Sequence, residues 1–456
     1  MIARALTDYY RCPEEFVKMT LAAELSRGAG YFAFGGNVCW GQSAYGYRAA
    51  APSGLYETLS DVSITGGCVR VPFDPTQVAD NLRLERYAAA QNGAASPRQT
   101  AWQGPYYALR PLIPTALRRS LQRLYMRGWK RVAFPRWPID DTVDAIVERL
   151  LVLCLRSQGV ERVPFIWFWP DGAPSCTIVT HDIETSDGLD RCGWLMDMDE
   201  KTGIRSSFQV VPEDRYSVST AFLDTIRTRG FEINVHDLNH DGRLFSSRDE
   251  FLRRVKKINA YAQAFGARGF RSGSLYRHAD WYDALEVAYD MSIPNAGHLE
   301  IQRGGCCTVM PYFIGNVVEL PLTTTQDYTL FHILNDFSND VWKNQIESII
   351  SRHGLVSLIV HPDYQVHDRA RRAYSALLDQ LARMREAGRC WLALPGDVER
   401  WWRARSRMRL VRDEESWRVE GREAERARVA YAELDGDELV YRLEPVPPRD
   451  AGVAIS

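Results

Sequence analysis

Two stretches decide the reading of this chain: Cys-Thr-Ile-Val-Thr-His-Asp-Ile-Glu-Thr at 176–185 and Phe-Glu-Ile-Asn-Val-His-Asp-Leu-Asn-His at 231–240. Each begins as a short apolar run, the pattern of a buried strand. The first ends in two acids, Asp182 and Glu184, and the second in two histidines four apart, His236 and His240. Donors delivered at the ends of separate strands are what a mononuclear metal site on an α/β scaffold requires, because such strand ends converge on one face. In extended chain, residues i and i+2 share a side. Asp182 and Glu184 then point together; one can hold an ion while the other stays free as a base, and the pattern leaves open which does which. Read as a first helical turn, His236 and His240 share a face and can grip one ion. The competing reading makes the histidines surface or cap residues and the acids a cap for the helix after Ser186, where Asp187 is the better-placed cap.

Outward from these stretches, 163–405 alternates between apolar runs and helical periodicity. Strands are expected at 177–179, 207–211, 231–235, 267–270, 317–320, 355–360 and 391–394. Helices are expected at 188–202, 220–229, 247–265, 280–288, 342–352 and 369–387. Such alternation predicts a parallel sheet, and about seven strands favour closure into a barrel. After 405 the period changes: 427–434 and 438–443 are β-rich and joined through Asp435-Gly-Asp437, a hairpin signal, with 409–412 and 416–419 as partner strands. The tail at 445–449 reads as loosely packed.

The first region is less regular. Glycines and aromatics at 28–41 lack the Gly-Lys-Ser/Thr of a phosphate loop and read as turns with short strands. Residues 88–105 are small and polar, an exposed loop. Asp140 and Asp141 stand at the cap of a helix whose Val143, Ile146, Val147, Leu150, Leu151, Cys154 and Leu155 form one apolar face. The expected architecture is therefore α/β: an N-terminal α+β region at 1–162, a (β/α) barrel at 163–405 and a small antiparallel β appendage at 406–456.

Composition narrows the function. A chain of 456 residues predicts two to three domains, and 45% hydrophobic with 25% charged residues is globular. A net charge of -2 gives no basis for a nucleic-acid partner. The apolar run 150–155 is bounded by Arg149 and Arg156 and is too short to span a bilayer. Without a signal-peptide core at the N-terminus, a cytoplasmic location is expected. Nine cysteines, an odd number with no Cys-x-x-Cys, read as reduced thiols and make a thiolate zinc site a poor expectation.

Three further motifs follow in order: Gly-Phe-Arg-Ser-Gly at 269–273, Tyr-Asp-Met-Ser-Ile at 289–293 and Leu-Ile-Val-His-Pro at 358–362. With Thr-His-Asp-Ile-Glu at 180–184 and the His-x-x-x-His at 236–240, they make 163–400 resemble the polysaccharide deacetylase family, the NodB-like carbohydrate esterases. The resemblance implies a distorted (β/α) barrel and a divalent metal, Zn2+ first, held by Glu184, His236 and His240. It implies Asp182 as base, Arg271 orienting it, and His361 as acid to the leaving amine. The reaction implied is hydrolysis of an acetamide on an N-acetylated sugar, glycan or glycan precursor, with a backbone N–H of 272–275 facing the oxyanion. His181 alternates away from Asp182 and is expected to play a supporting part, while Tyr276 and Trp281 are candidates to stack on a sugar ring or in the core. The sequence departs from the family at Ile183, where many members carry a metal-binding Asp, and at Gly273, where they carry Pro; no Asp-Trp pair that would tune His361 stands out. Two alternatives accompany this reading: a catalytically silent glycan-binding or scaffold protein on the same fold, and a metal hydrolase of a non-sugar amide.

Overall fold

The computed structural model describes residues 3–88, 124, 126, 128–414 and 416–444. Five short strands come first: β1 (Met19–Leu21), β2 (Gly30–Phe34), β3 (Asn37–Gly41), β4 (Ser63–Thr65) and β5 (Cys68–Val71). β2 and β3 form a hairpin, and the others pair in the order β1-β5-β4. The β2–β3 turn is made by Gly35 and Gly36, at φ 58° and 75°, the left-handed pair a tight hairpin demands. Helices Arg4–Tyr10 and Pro75–Arg83 pack beside them, the second capped by Asp74 through the amides of Thr76 and Gln77. Helix Thr142–Gln158 buries all seven residues of its expected face. Its capping bond comes from Asp140, whose Oδ1 accepts from Thr142 N at 2.9 Å, and not from Asp141. The loop expected at 88–105 and the tail at 445–449 lie, from residue 89 and in full respectively, outside the described residues.

β6 (Arg162–Ile166) leads into the main sheet: β7 (Cys176–Ile183), β8 (Ser207–Val210), β9 (Glu232–His236), β10 (Gly269–Arg271), β11 (Tyr289–Asp290), β12 (Tyr312–Ile314), β13 (Val317–Glu319), β14 (Leu355–Ile359) and β15 (Trp391–Leu392). Eight strands run in the order β12-β13-β11-β10-β9-β8-β7-β14, all parallel except the β12–β13 pair. β15 joins β7 at Cys176 and Thr177, below the point where β8 begins to pair. The architecture is the expected α/β barrel, curled and incompletely closed, with nine strands instead of about seven. The two not expected are β11 and β12, of two and three residues. Five of the expected helices are present within two residues of their predicted ends. The sixth, at 280–288, is instead a 3-10 stretch, Ala279–Ala284. Its buried residues Ala279 and Tyr282, and Leu285 just after it, recur every third position, the period of a 3-10 turn.

The open seam lies between β14 and the segment after β13, and side chains staple it. Thr323 Oγ1 accepts from Ser357 N at 2.9 Å and donates to Leu355 O at 2.7 Å; Thr324 Oγ1 donates to Ser357 O at 2.8 Å. Beyond the barrel, β16 (Arg409–Asp413) pairs with β17 (Ser416–Glu420), and β18 (Val429–Asp435) forms the predicted hairpin with β19 (Glu438–Leu443). β18 also pairs with β6, so the C-terminal hairpin completes a three-stranded sheet with the strand that precedes the barrel. One hydrophobic core joins this sheet, the N-terminal region and the base of the barrel; a second fills the space between the barrel and its outer helices. All nine cysteines are free. No helix among the described residues is long and apolar enough to cross a membrane.

Thr323→Val keeps the shape but orphans a buried amide and a buried carbonyl across the seam. A loss of about 2–4 kcal/mol is expected, read by chemical unfolding; no change would mean that the threonines do not hold the seam.

Candidate metal centre

β7 is buried along its whole length, and alternation sorts its residues. Ile183 enters the core between barrel and helices, beside Phe208 and Val235. His181 turns away from the site: its Nδ1 meets Val360 O at 2.8 Å and its Nε2 meets Asp199 Oδ2 at 3.0 Å. Asp182 and Glu184 share the opposite side. The following helix is capped by Thr185, which accepts from Gly188 N at 3.2 Å; Asp187 is exposed. The cap expected at Asp187 is thus supplied two residues earlier, because Thr185 keeps the extended backbone an N-cap needs.

The histidine pair stands at the end of β9, but not on a helix. Asp237 and His240 both have left-handed backbones, at φ 56° and 52°, and the resulting loop returns the two rings to 4.9 Å centroid separation. Asp and His tolerate this conformation better than most residues. Asp237 N donates to Arg271 O at 2.8 Å, and Arg215 donates from Nε to Asn239 O at 3.0 Å and also to His240 O. Gly273 fits against this loop. A Cβ there would stand 2.5 Å from Asp237 Oδ2 and 2.9 Å from His240 Cδ2, so any side chain at 273 would press on the His240 ring.

Glu184, His236 and His240 present donor atoms that lie within 4.8 Å of one another. His236 donates from Nδ1 to Arg271 O at 3.1 Å, which leaves the Nε2 lone pair facing the centre. The Nε2 atoms of both histidines are buried without a hydrogen-bond partner, although His240 Nε2 lies 3.0 Å from Glu184 Oε1. Two orphaned imidazole nitrogens beside a carboxylate fit a divalent ion. Ligand bonds of about 2.0–2.2 Å put tetrahedral donors about 3.5 Å apart, a closure reached by small side-chain shifts. Glu184 is held for this by Tyr364, whose OH donates to Oε2 at 3.1 Å, and by Asp363, which accepts from Glu184 N at 3.1 Å.

The other predicted residues border the same space. Arg271 donates from Nη1 to Asp182 Oδ1 at 2.7 Å. Asp182 Oδ2 lies 3.8 Å from His236 Nε2 and 4.0 Å from His361 Nε2. His361 Nε2 is also 3.8 Å from Glu184 Oε1. Behind His361 stands a residue that the sequence did not single out: Asp327, fully buried, meets His361 Nδ1 at 2.6 Å and accepts from His361 N at 2.9 Å. It follows the run Thr323-Thr324-Thr325-Gln326, with no periodicity and no adjacent Trp to mark it; an acid at the end of an otherwise uncharged run was the one available signal. Trp281 stacks on His278 at 4.2 Å and packs against Phe245 and Phe251, a core contact rather than a free platform.

The electrostatics divide the groups. Burial is the largest single influence on Asp182 and works against its charge, but Arg271, with His236 and His361, holds the carboxyl below its usual range. Burial likewise opposes charge on Glu184, and His240 brings it well below the ordinary value. Burial pushes His236 down, toward the neutral ligand form. It also works against His240, where the Glu184 charge prevails and raises the imidazole. For His361 burial is the largest single influence and opposes charge, but Asp327, joined by Glu184 and Asp182, takes the ring up to about 10, so it is a cation at neutral pH.

No protein-family model matches the sequence, and no curated protein matches it. Many of its structural neighbours are polysaccharide deacetylases. A protein assigned to that class from Mycobacterium smegmatis is similar at a TM-score of 0.42 and 16% identity, over 55% of this chain and 98% of its own. One from Pseudomonas aeruginosa gives 0.38 and 11%, over 51% and 92%. A peptidoglycan deacetylase from Bacillus subtilis gives 0.30 and 12%, over 50% and 90%.

Gly273→Ala tests the packing of the histidine loop. Displacing the His240 ring is expected to weaken Zn2+ binding about 10–100-fold, measured by competition with a chromophoric chelator. Unchanged affinity would show that the loop yields freely.

Proposed function

We propose that this protein is a metal-dependent N-deacetylase, hydrolysing the acetamide of an N-acetylated sugar, glycan or glycan precursor to acetate and a free amine. One observation carries the reading: two buried imidazole nitrogens, one of them against the Glu184 carboxylate, face a centre that is bordered by a carboxylate on an arginine and a histidine on an aspartate. The sequence resemblance supplies the substrate class; the side chains supply the chemistry. Glu184, His236 and His240 are the proposed ligands, and two imidazoles with one carboxylate suit Zn2+. When bound, the ion supplies Lewis acidity, polarising the acetamide carbonyl and acidifying the attacking water enough for a low-pKa carboxylate to serve as base.

Asp182 is proposed to take the proton at Oδ2, since Oδ1 is committed to Arg271. His361 carries its proton at Nε2, on the open side of the ring, and donates it to the departing amine nitrogen; its other nitrogen is engaged by Asp327. The departure at Ile183 feeds the silent-protein alternative; the joint presence of the proposed base, the proposed acid and their positioning partners argues against it.

Asp182→Asn is expected to cut acetate release by about 10²–10⁴-fold while Zn2+ binding persists; release at the wild-type rate over N-acetylhexosamine substrates would sink the reading. The pH dependence has a definite sign. His361 is protonated below about 10, so activity falls on the alkaline side as that proton is lost. Asp327→Asn removes the charge that sustains the cation, and the alkaline limb of kcat is expected to move to lower pH. A limb that stays in place would remove His361 from the acid role.

A further inference from the structure

We propose that Glu85, in the N-terminal region, is a positioning residue of the site, acting through a buried ion pair with Arg277 that fixes the loop after β10. The kinetic part of this inference rests on the function proposed above; the structural part does not.

The loop 272–277 lies between the two halves of the site. On one side Gly273 abuts the His240 ring and Asp237. On the other, Leu275 packs with Leu322 and Ile359, the last of these two residues before His361. Its backbone is strained: Ser274 and Leu275 are both left-handed, at φ 56° and 53°. A leucine is costly there, since its Cβ crowds the following carbonyl, and two such residues in succession persist only where the surroundings over-determine them.

Arg277 supplies that constraint. It donates from Nη1 to Leu275 O at 2.8 Å, while its own amide donates to Gln302 Oε1 at 3.0 Å and its carbonyl accepts from Gln302 Nε2 at 3.0 Å. Arg277 is 4% exposed, so its charge needs a partner. Among the described residues one carboxylate lies within ion-pair distance. Glu85 accepts at Oε2 from Nε and at Oε1 from Nη2, each at 2.5 Å, a bidentate fork from a residue 192 positions upstream. Glu85 is itself left-handed, at φ 54°, and Gly304 leaves the space its carboxylate fills. Three strained residues and one buried pair thus link the N-terminal region to the loop that touches both the proposed ligand His240 and the strand of His361. A tie between domains for stability alone would not need to end on the carbonyl of Leu275.

The test uses the full chain carrying Glu85→Gln, nearly the same size but neutral, with Arg277→Gln and the double variant. Hydrogen exchange at 272–277 is expected to rise about tenfold or more in each folded variant. Acetate release should lose on the order of 10²-fold in kcat, with a smaller change in KM and one Zn2+ still bound. The double variant should be no worse than either single one, as coupled positions require. Unchanged exchange at 272–277, or a lower melting temperature with kcat intact well below melting, would overturn the proposal and leave the pair a structural tie. If the wild type releases no acetate from any N-acetylated sugar, the functional reading fails, and the exchange data alone decide whether Glu85 holds the loop.

Discussion

Arg271 is the interaction on which the site depends. It is fully buried, and it ties together the proposed base, one proposed ligand and the start of the histidine loop. Its Nη1 reaches both Asp182 Oδ1 and Thr180 Oγ1 at 2.7 Å, and its Nε reaches Met291 O at 3.0 Å. Its carbonyl accepts from His236 Nδ1 at 3.1 Å and from Asp237 N at 2.8 Å. One residue therefore sets the orientation of the proposed base, the tautomer of one proposed ligand and the start of the histidine loop. A buried guanidinium is costly unless paired and hydrogen-bonded, so the arrangement is all-or-none: the charge of Arg271 requires Asp182, and the geometry of Asp182 requires Arg271.

The same economy of buried charge runs through the barrel. Asp290 and Glu319 lie side by side in its interior, and burial raises both carboxyls, Glu319 most, as adjacent acids that cannot both ionise. Asp290 binds the Ser292 hydroxyl, and Ser292 Oγ in turn accepts from Ser272 N at 2.8 Å, so the pair braces the start of the loop from below. On the outer side of β7, Asp199 gathers His181, Ser206 and Tyr374. The site thus sits between two buried polar networks, and β7 and β14 are locked in register by Thr180 Oγ1 to Leu358 O and His181 Nδ1 to Val360 O.

Much of this was legible in the sequence, for physical reasons. β7, β8, β9 and β14 are buried on both faces and read as apolar runs, and the helices between them carry one apolar face. Strand length does not account for the misses at β11 and β12, since β10, β13 and β15 are as short and were expected. The histidine spacing located the two rings, but a helical turn and a loop with two left-handed residues bring positions four apart equally close, and spacing alone does not separate them. Asp327 and Glu85 escaped for a different reason. Each acts across more than thirty residues on a side chain it meets only in the fold, and nothing local marks an acid as a partner. Gly273, a departure from the family pattern, makes sense once the His240 ring is seen against it.

Glu184, His236 and His240 are proposed to form one metal centre, with Asp182 left free. Anomalous diffraction at the zinc edge, from crystals of the Zn2+-loaded protein, tests it most directly. A single peak is expected in contact with Glu184, His236 Nε2 and His240 Nε2, with Asp182 still on Arg271. A peak ligated by Asp182 in place of Glu184, or none between the two histidines at saturating Zn2+, would contradict it.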